Sequence, residues 1–347
     1  MSSNGTIVRQ SNFELLRLVS MFFIVFYHLL RFFVVRMDDA AIYKAMYLPL
    51  HVAVICFVLI SGYFHIKPSF RGAVKLLAPL VIFYLPLTLW EYYHGVGEAK
   101  SLLVFSKSPY WFIRAYFCLF LMSPMLNNYL TDNKRRLQML LILGFIAVYM
   151  GSVHEPSLKG GKNVALFMFV YVLGDCLNAF KSKYERWRPA WIILAYLILN
   201  VLEVVCYVFF HDSLLGKVLW VIAYPYCAPL LIMNAVLLFV IFSKFNFRSK
   251  VVNWLSLSVF SVYVLHHQHF ILYSLIGPCV LYIHTVAHDP LVLLTLLGGL
   301  TLLIMLTCMV VDKLCSPIWN FLSVKANKLE SQIVFRWNQT NNRSSSE

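Results

Sequence analysis

Residues 13–33 read FELLRLVSMFFIVFYHLLRFF. A helix needs about 20 mostly apolar residues to cross a bilayer, and this run supplies them. No small-residue cleavage site follows it; Arg31, Phe32, Phe33 and Arg36 do. It is therefore read as a retained helix and not as a signal peptide. Nine further runs follow, at 46–65, 73–93, 109–130, 137–153, 164–180, 190–210, 217–242, 255–283 and 290–312. The fold class expected from this pattern is all-α: a polytopic membrane helix bundle of about ten transmembrane helices.

Composition agrees. The chain has 347 residues, 61% hydrophobic and 13% charged, with a mean hydropathy of +0.74. Ordinary soluble domains are about 45–50% apolar, and a folded surface cannot hide the excess. Soluble enzyme, disordered chain and secreted disulfide scaffold are all poor fits. Residues 1–324 read as one integral-membrane domain without an internal boundary or clear repeat. Residues 325–347 turn polar and read as a disordered or interfacial tail.

Charge gives the orientation. Lys and Arg number 29 against 15 Asp and Glu, a formal net charge of +14. These cations sit in short gaps between apolar runs and form no continuous basic stripe, so nucleic acid is not an expected partner. Under the ten-run scheme 19 of them fall on the side of both termini and 8 on the other. The positive-inside rule then places both termini in the cytoplasm. The eight cysteines lie mostly inside apolar runs and show no CxxC or zinc spacing, so neither a metal site nor a disulfide framework is expected.

Ionisable groups inside apolar runs are costly in lipid and mark function by default. Here they are Glu14, Arg17, His28, Arg114, Glu203 and Asp312, with Asp175 near a run's end. Three of them share the first run. Arg17 and His28 are 11 residues apart, about three helical turns and roughly 16 Å on nearly one face. Glu14 precedes Arg17 by three, within pairing reach. The first helix thus carries a polar stripe, Glu14–Arg17–His28, from its start deep into the span. From spacing alone, a snorkelling Glu–Arg pair and a hydrogen-bonded core histidine fit equally well.

A resemblance bears on that choice. Asn12-Phe13-Glu14-Leu15-Leu16-Arg17 is followed after ten residues by His28, and Phe57-Val58-Leu59-Ile60-Ser61-Gly62-Tyr63-Phe64 occupies the second run. Arg71 and Lys75 precede Leu77-Ala78-Pro79; Tyr110-Trp111-Phe112 and Leu121-Met122-Ser123-Pro124-Met125-Leu126-Asn127 come next. Ser258-Val259-Phe260-Ser261-Val262-Tyr263-Val264-Leu265-His266 closes the series. In this order the segments resemble the acyltransferase-3 family, integral-membrane acyltransferases that modify surface glycans. One departure is the pair Arg71/Lys75 at spacing four, where the family commonly carries a closely spaced arginine pair.

The resemblance implies an O-acyltransferase of a bacterial cytoplasmic (inner) membrane. It would move an acyl group, with acetyl the expectation, from acyl-CoA to a hydroxyl of a cell-surface or lipid-linked saccharide. His28 is the candidate general base, since its ordinary pKa of about 6.5 suits that task. Arg17 and Glu14 complete the catalytic set, with Glu14 orienting Arg17. Arg17, Arg71 and Lys75 are the candidate acyl-CoA-binding cluster. Trp111 with Arg114, and Tyr263 with His266, each three apart on one helix face, are the candidate acceptor-binding residues. His266-His267-Gln268-His269 is not read as a metal site, because consecutive helical residues point apart. No tightly bound cofactor is expected; the partners are acyl-CoA, the saccharide acceptor and membrane lipid. Ser61 lies in no Gly-x-Ser-x-Gly elbow, and Gly62 after it reads as a helix-packing residue. Pro225 and Pro229 predict a break in the eighth run. A transporter or flippase of lipid-linked saccharide is the alternative, since proline-broken spans and intramembrane charges fit that too.

Overall fold

The computed structural model describes residues 9–37, 41–96, 99–102, 110–152 and 161–344. The described residues are 87% helix, with no strand among them. The principal helices are α1 (Ser11–Met37), α2 (Ala41–Phe64) and α3 (Phe70–Tyr93). Next come α4 (Trp111–Tyr129), α5 (Asn133–Ser152), α6 (Val164–Ala179) and α7 (Pro189–Phe210). α8 (Leu214–Ala223), α9 (Pro229–Ser243), α10 (Lys250–His266) and α11 (Ile271–Val286) follow. The last two are α12 (Pro290–Leu314) and α13 (Ser316–Ser344).

Helix starts have local causes. Asn163 and Ser249 accept from the backbone N–H three residues on, at 3.0 and 3.2 Å. Asp289 accepts from Leu291 N at 2.7 Å. Each satisfies a donor that the first helical turn would otherwise leave open. Pro189, Pro229 and Pro290 occupy first helical positions, where the missing N–H costs nothing.

Helix occupies all ten apolar runs, but not as ten equal spans. Among the described residues five helices are long and apolar enough to cross a membrane: α1, α2, α3, α7 and α12. A sixth candidate is the pair α10 and α11, bent by 85°. The reasons are in the residues. α4 carries Arg114, Asn127 and Asn128, and α5 opens on Lys134-Arg135-Arg136. α6 and α9 have only 16 and 15 residues. The eighth run is broken at Tyr224–Ala228, as Pro225 and Pro229 predict, and the ninth at His267 and Gln268, where the apolar run reads as continuous.

α2 is the centre of the bundle, with α1, α6 and α9 packed around it. Gly62 of α2 and Gly174 of α6 let two backbones touch. A Cβ on Gly62 would meet the carbonyl oxygen of Tyr171, and one on Gly174 that of Leu59. Close approach through small residues is how helices associate where lipid removes the hydrophobic drive. α7 lies outermost: Ile192 is its buried residue, while Leu197, Val201 and Leu202 are exposed. Leu141 and Phe145 of α5, and Leu302 and Leu303 of α12, face outward likewise. These apolar surfaces suit lipid and not water.

One end of the bundle is bolted by ions. Asp175 of α6, 1% exposed, accepts from Arg136 Nε and from His65 Nε2, each at 2.7 Å. α13 runs as one helix from Ser316 to Ser344 and packs against the start of α3, with Ser323 and Ala326 buried.

Candidate active site

The polar stripe of α1 is set by contacts at its start. Asn12 donates to the Phe242 carbonyl at 3.1 Å, and Ser11 Oγ accepts from Ser249 N at 2.9 Å. These tie α1 to the end of α9 and the start of α10. Glu14 is buried and takes Arg17 Nη1 at 2.7 Å and Arg9 Nη1 at 3.5 Å. The pairing holds Arg17 along the helix, facing inward.

Three turns on, His28 stands in a cluster of rings. Its Nδ1 lies 2.9 Å from His266 Nε2, across 238 residues of sequence. His267 packs edge-on against it with ring centroids 4.5 Å apart, and Phe32 stacks on it at 5.1 Å. The protons follow from chemistry. His266 Nδ1 lies 2.7 Å from the Val262 carbonyl oxygen, which can only accept. His266 therefore carries its hydrogen on Nδ1, and in the neutral ring Nε2 is an acceptor. His28 must then donate from Nδ1, which leaves the lone pair of His28 on Nε2.

A cavity of about 950 Å³ runs past this point. Glu14, Arg17, His28, Arg71, Lys75, Trp111 and Tyr263 all line it. His266 does not; it is 1% exposed and supports His28 from outside the cavity wall. Arg114 also lies outside the lining, half-buried and near enough for its charge to act on Tyr263. Arg71 and Lys75 sit on the first turns of α3, at the same end of the cavity as Arg9, Arg17 and Lys313.

The backbone around the cavity is irregular. α1 contains a π-helical stretch at Leu30–Val34, just past His28, and α3 another at Leu80–Tyr84, just past Pro79. Such bulges are frequent at functional sites. The break between α10 and α11 is stitched by Gln268, whose Oε1 accepts from Ile271 N at 3.0 Å. The buried Glu91 of α3 accepts from His269 Nδ1 at 3.0 Å. Non-helical backbone at this depth persists where protein or a cavity re-satisfies it.

Several lining residues carry no sequence signal. His267 lines the cavity beside His28, although by sequence it has no role beyond its place in a run not read as a metal site. Arg31 and Lys162 lie in the wall at the end away from Arg17, with His51, Tyr224 and Tyr226. By sequence the two cations are loop charge. Asp312 does carry a signal, as an acid in an apolar run. It accepts from Ser261 Oγ at 2.5 Å and from Trp319 Nε1 at 3.1 Å, joining α10, α12 and α13.

The sequence model of the Acyl_transf_3 family, described as an acyltransferase domain, matches residues 10–310. Neither the curated proteins nor the solved structures give a match. The matched stretch contains the whole of the His28 cavity except the contacts from Arg9, Asp312, Lys313 and α13. This chain, an all-helical protein with several apolar membrane-type helices, belongs to the Acyl_transf_3 family of acyltransferase domains.

Proposed function

We propose that the protein transfers an acyl group, acetyl in the first instance, from acyl-CoA to a hydroxyl of a cell-surface or lipid-linked saccharide, with His28 as general base. The observation that carries the reading is the His266–His28 relay, which leaves a lone pair on His28 Nε2 at a cavity wall between two cationic ends.

The chemistry runs as follows. The acceptor hydroxyl gives its proton to His28 Nε2 as its oxygen attacks the thioester carbonyl. Tyr263 and His267, on the same wall, offer donors to the oxyanion. The C–S bond breaks, the ester forms, and the CoA thiolate takes the proton back from His28. Arg17, Arg71 and Lys75 hold the nucleotide phosphates at the other end, about 16 Å from His28 along α1. That span suits a pantetheine arm laid along the stripe.

This assignment places the Arg17 end in the cytoplasm of a bacterial inner membrane, with both termini there and the ten helical runs crossing or entering the bilayer. The test is acyl transfer from radiolabelled acetyl-CoA by the full chain in proteoliposomes. Wild-type protein should acylate a saccharide acceptor and His28→Ala should not, at equal protein incorporation. Equal transfer by both would remove His28 from the chemistry.

A further inference from the structure

The end of the cavity away from Arg17 carries two cations, Arg31 and Lys162, for which no acid partner occurs among the described residues. Arg31 follows His28 by three residues, about one turn further along α1. Its neighbours are phenols: Tyr224, within hydrogen-bond reach, Tyr27 and Tyr47. Lys162 stands just before α6, and the charge of Arg31 acts on it. Among the described residues no carboxylate pairs with either. Like charges held together in a partly enclosed site are unfavourable unless an anion joins them.

The wall beside them is aromatic. Lys162 Nζ lies over the Trp111 ring at 5.9 Å, and Trp111 meets Tyr226 at 5.1 Å between centroids. His51 meets Tyr224 at 4.8 Å and Tyr226 at 5.4 Å. Ring faces of this kind are amphipathic platforms on which the C–H face of a sugar can lie. The backbone is built to keep this arrangement. Tyr224–Ala228 is the non-helical break between α8 and α9, and Gly161 (φ 79°) lies against it. A Cβ on Gly161 would stand 2.8 Å from Cys227 N. Glycine thus lets the chain carrying Lys162 close onto the segment carrying Tyr224 and Tyr226.

We infer that Arg31 and Lys162 form an anion subsite for a carboxylate or phosphate borne by the acceptor, so that the acceptor is an acidic saccharide. The inference rests on the acyl-transfer reading for the word acceptor, but the anion site itself does not. Arg supplies a planar fork and Lys a point charge, and either anion answers both. With the acidic group one turn beyond His28 and the sugar ring on the aromatic wall, a neighbouring hydroxyl comes to His28.

Binding to the detergent-purified full chain, measured by calorimetry without acyl-CoA, tests this. The probes are a neutral glucose trisaccharide, the same trisaccharide ending in glucuronate, and the same one bearing a terminal phosphate. Wild-type protein should bind at least one acidic probe about tenfold more tightly than the neutral one, and the two acidic arms tell carboxylate from phosphate. Lys162→Gln and Arg31→Gln should each erode the preference, and together bring it within twofold, while Arg31→Lys retains part of it. Should the double variant fail to fold, the exposed Lys162→Gln alone must still lower the preference at least threefold. Equal affinity for all three probes, or a preference surviving loss of the cations, overturns the anion site. His28→Ala should keep the preference intact. In wild-type protein, absent acyl transfer with that preference present would contradict the proposed reaction and leave the anion site standing.

Discussion

His266 donates to the Val262 carbonyl from one ring nitrogen and faces His28 with the other, 2.9 Å from His28 Nδ1. A residue that cannot reach the substrate thereby decides which nitrogen of His28 is basic. His266 is a positioning residue in this account. The Tyr263-x-x-His266 spacing puts both on α10, but Tyr263 lines the cavity and His266 does not.

Removing the relay should therefore damage turnover and spare binding. His266→Ala should lower kcat by about 10²-fold, toward the lower end of what general-base catalysis supplies, with KM for acyl-CoA within twofold. A parallel rise in KM would mean that His266 serves substrate binding or the fold instead.

The donor end makes a different prediction. Arg17→Gln and Arg71→Gln should raise the apparent KM for acyl-CoA, Arg17→Gln more severely, by about tenfold or more, with binding weakened further by salt. Unchanged KM and turnover in both variants would leave these cations a purely topogenic role.

Stability at the bundle centre turns on two glycines. Gly62→Ala places a methyl group against the Tyr171 carbonyl, a backbone atom that cannot swing away. The expected cost is about 1–3 kcal/mol, read as a lower midpoint of thermal unfolding in detergent. An unshifted midpoint would mean that α2 and α6 can separate at no cost.

The buried acid at the other contact should behave as half of an ion network. Asp175→Asn leaves Arg136 and His65 without their carboxylate and should cost about 3 kcal/mol. Turnover per folded molecule should hold, because Asp175 does not line the cavity. Lost turnover with normal stability would assign it a role in catalysis.

Much of this was legible in the chain. The stripe Glu14–Arg17–His28 depends only on helical spacing, and the three side chains do line one cavity. Gly62 was readable as a packing residue, and Pro225 gave away the break before α9. What could not be read is long-range. Nothing in the sequence near His28 points to a partner 238 residues on. Arg136 counts as cytoplasmic charge in any tally of loops, yet its partner is the buried Asp175. Arg31 and Lys162 lie far apart in sequence, and only the fold brings them to one wall. The Val52–Phe64 part of α2 is apolar nearly all round, so periodicity gives no inner face, and such a helix is placed at the centre only by its neighbours.

The most direct test of the account is single-turnover transfer with the full chain in proteoliposomes, preloaded with radiolabelled acetyl-CoA on the Arg17 side and then given a saccharide acceptor. Wild-type protein should release CoA and acetylated saccharide in equal amounts, while His28→Ala should fall by about 10²–10⁴-fold with donor binding retained. Equal product from His28→Ala and wild type, at matched protein and donor occupancy, would contradict the assignment of His28 as the base.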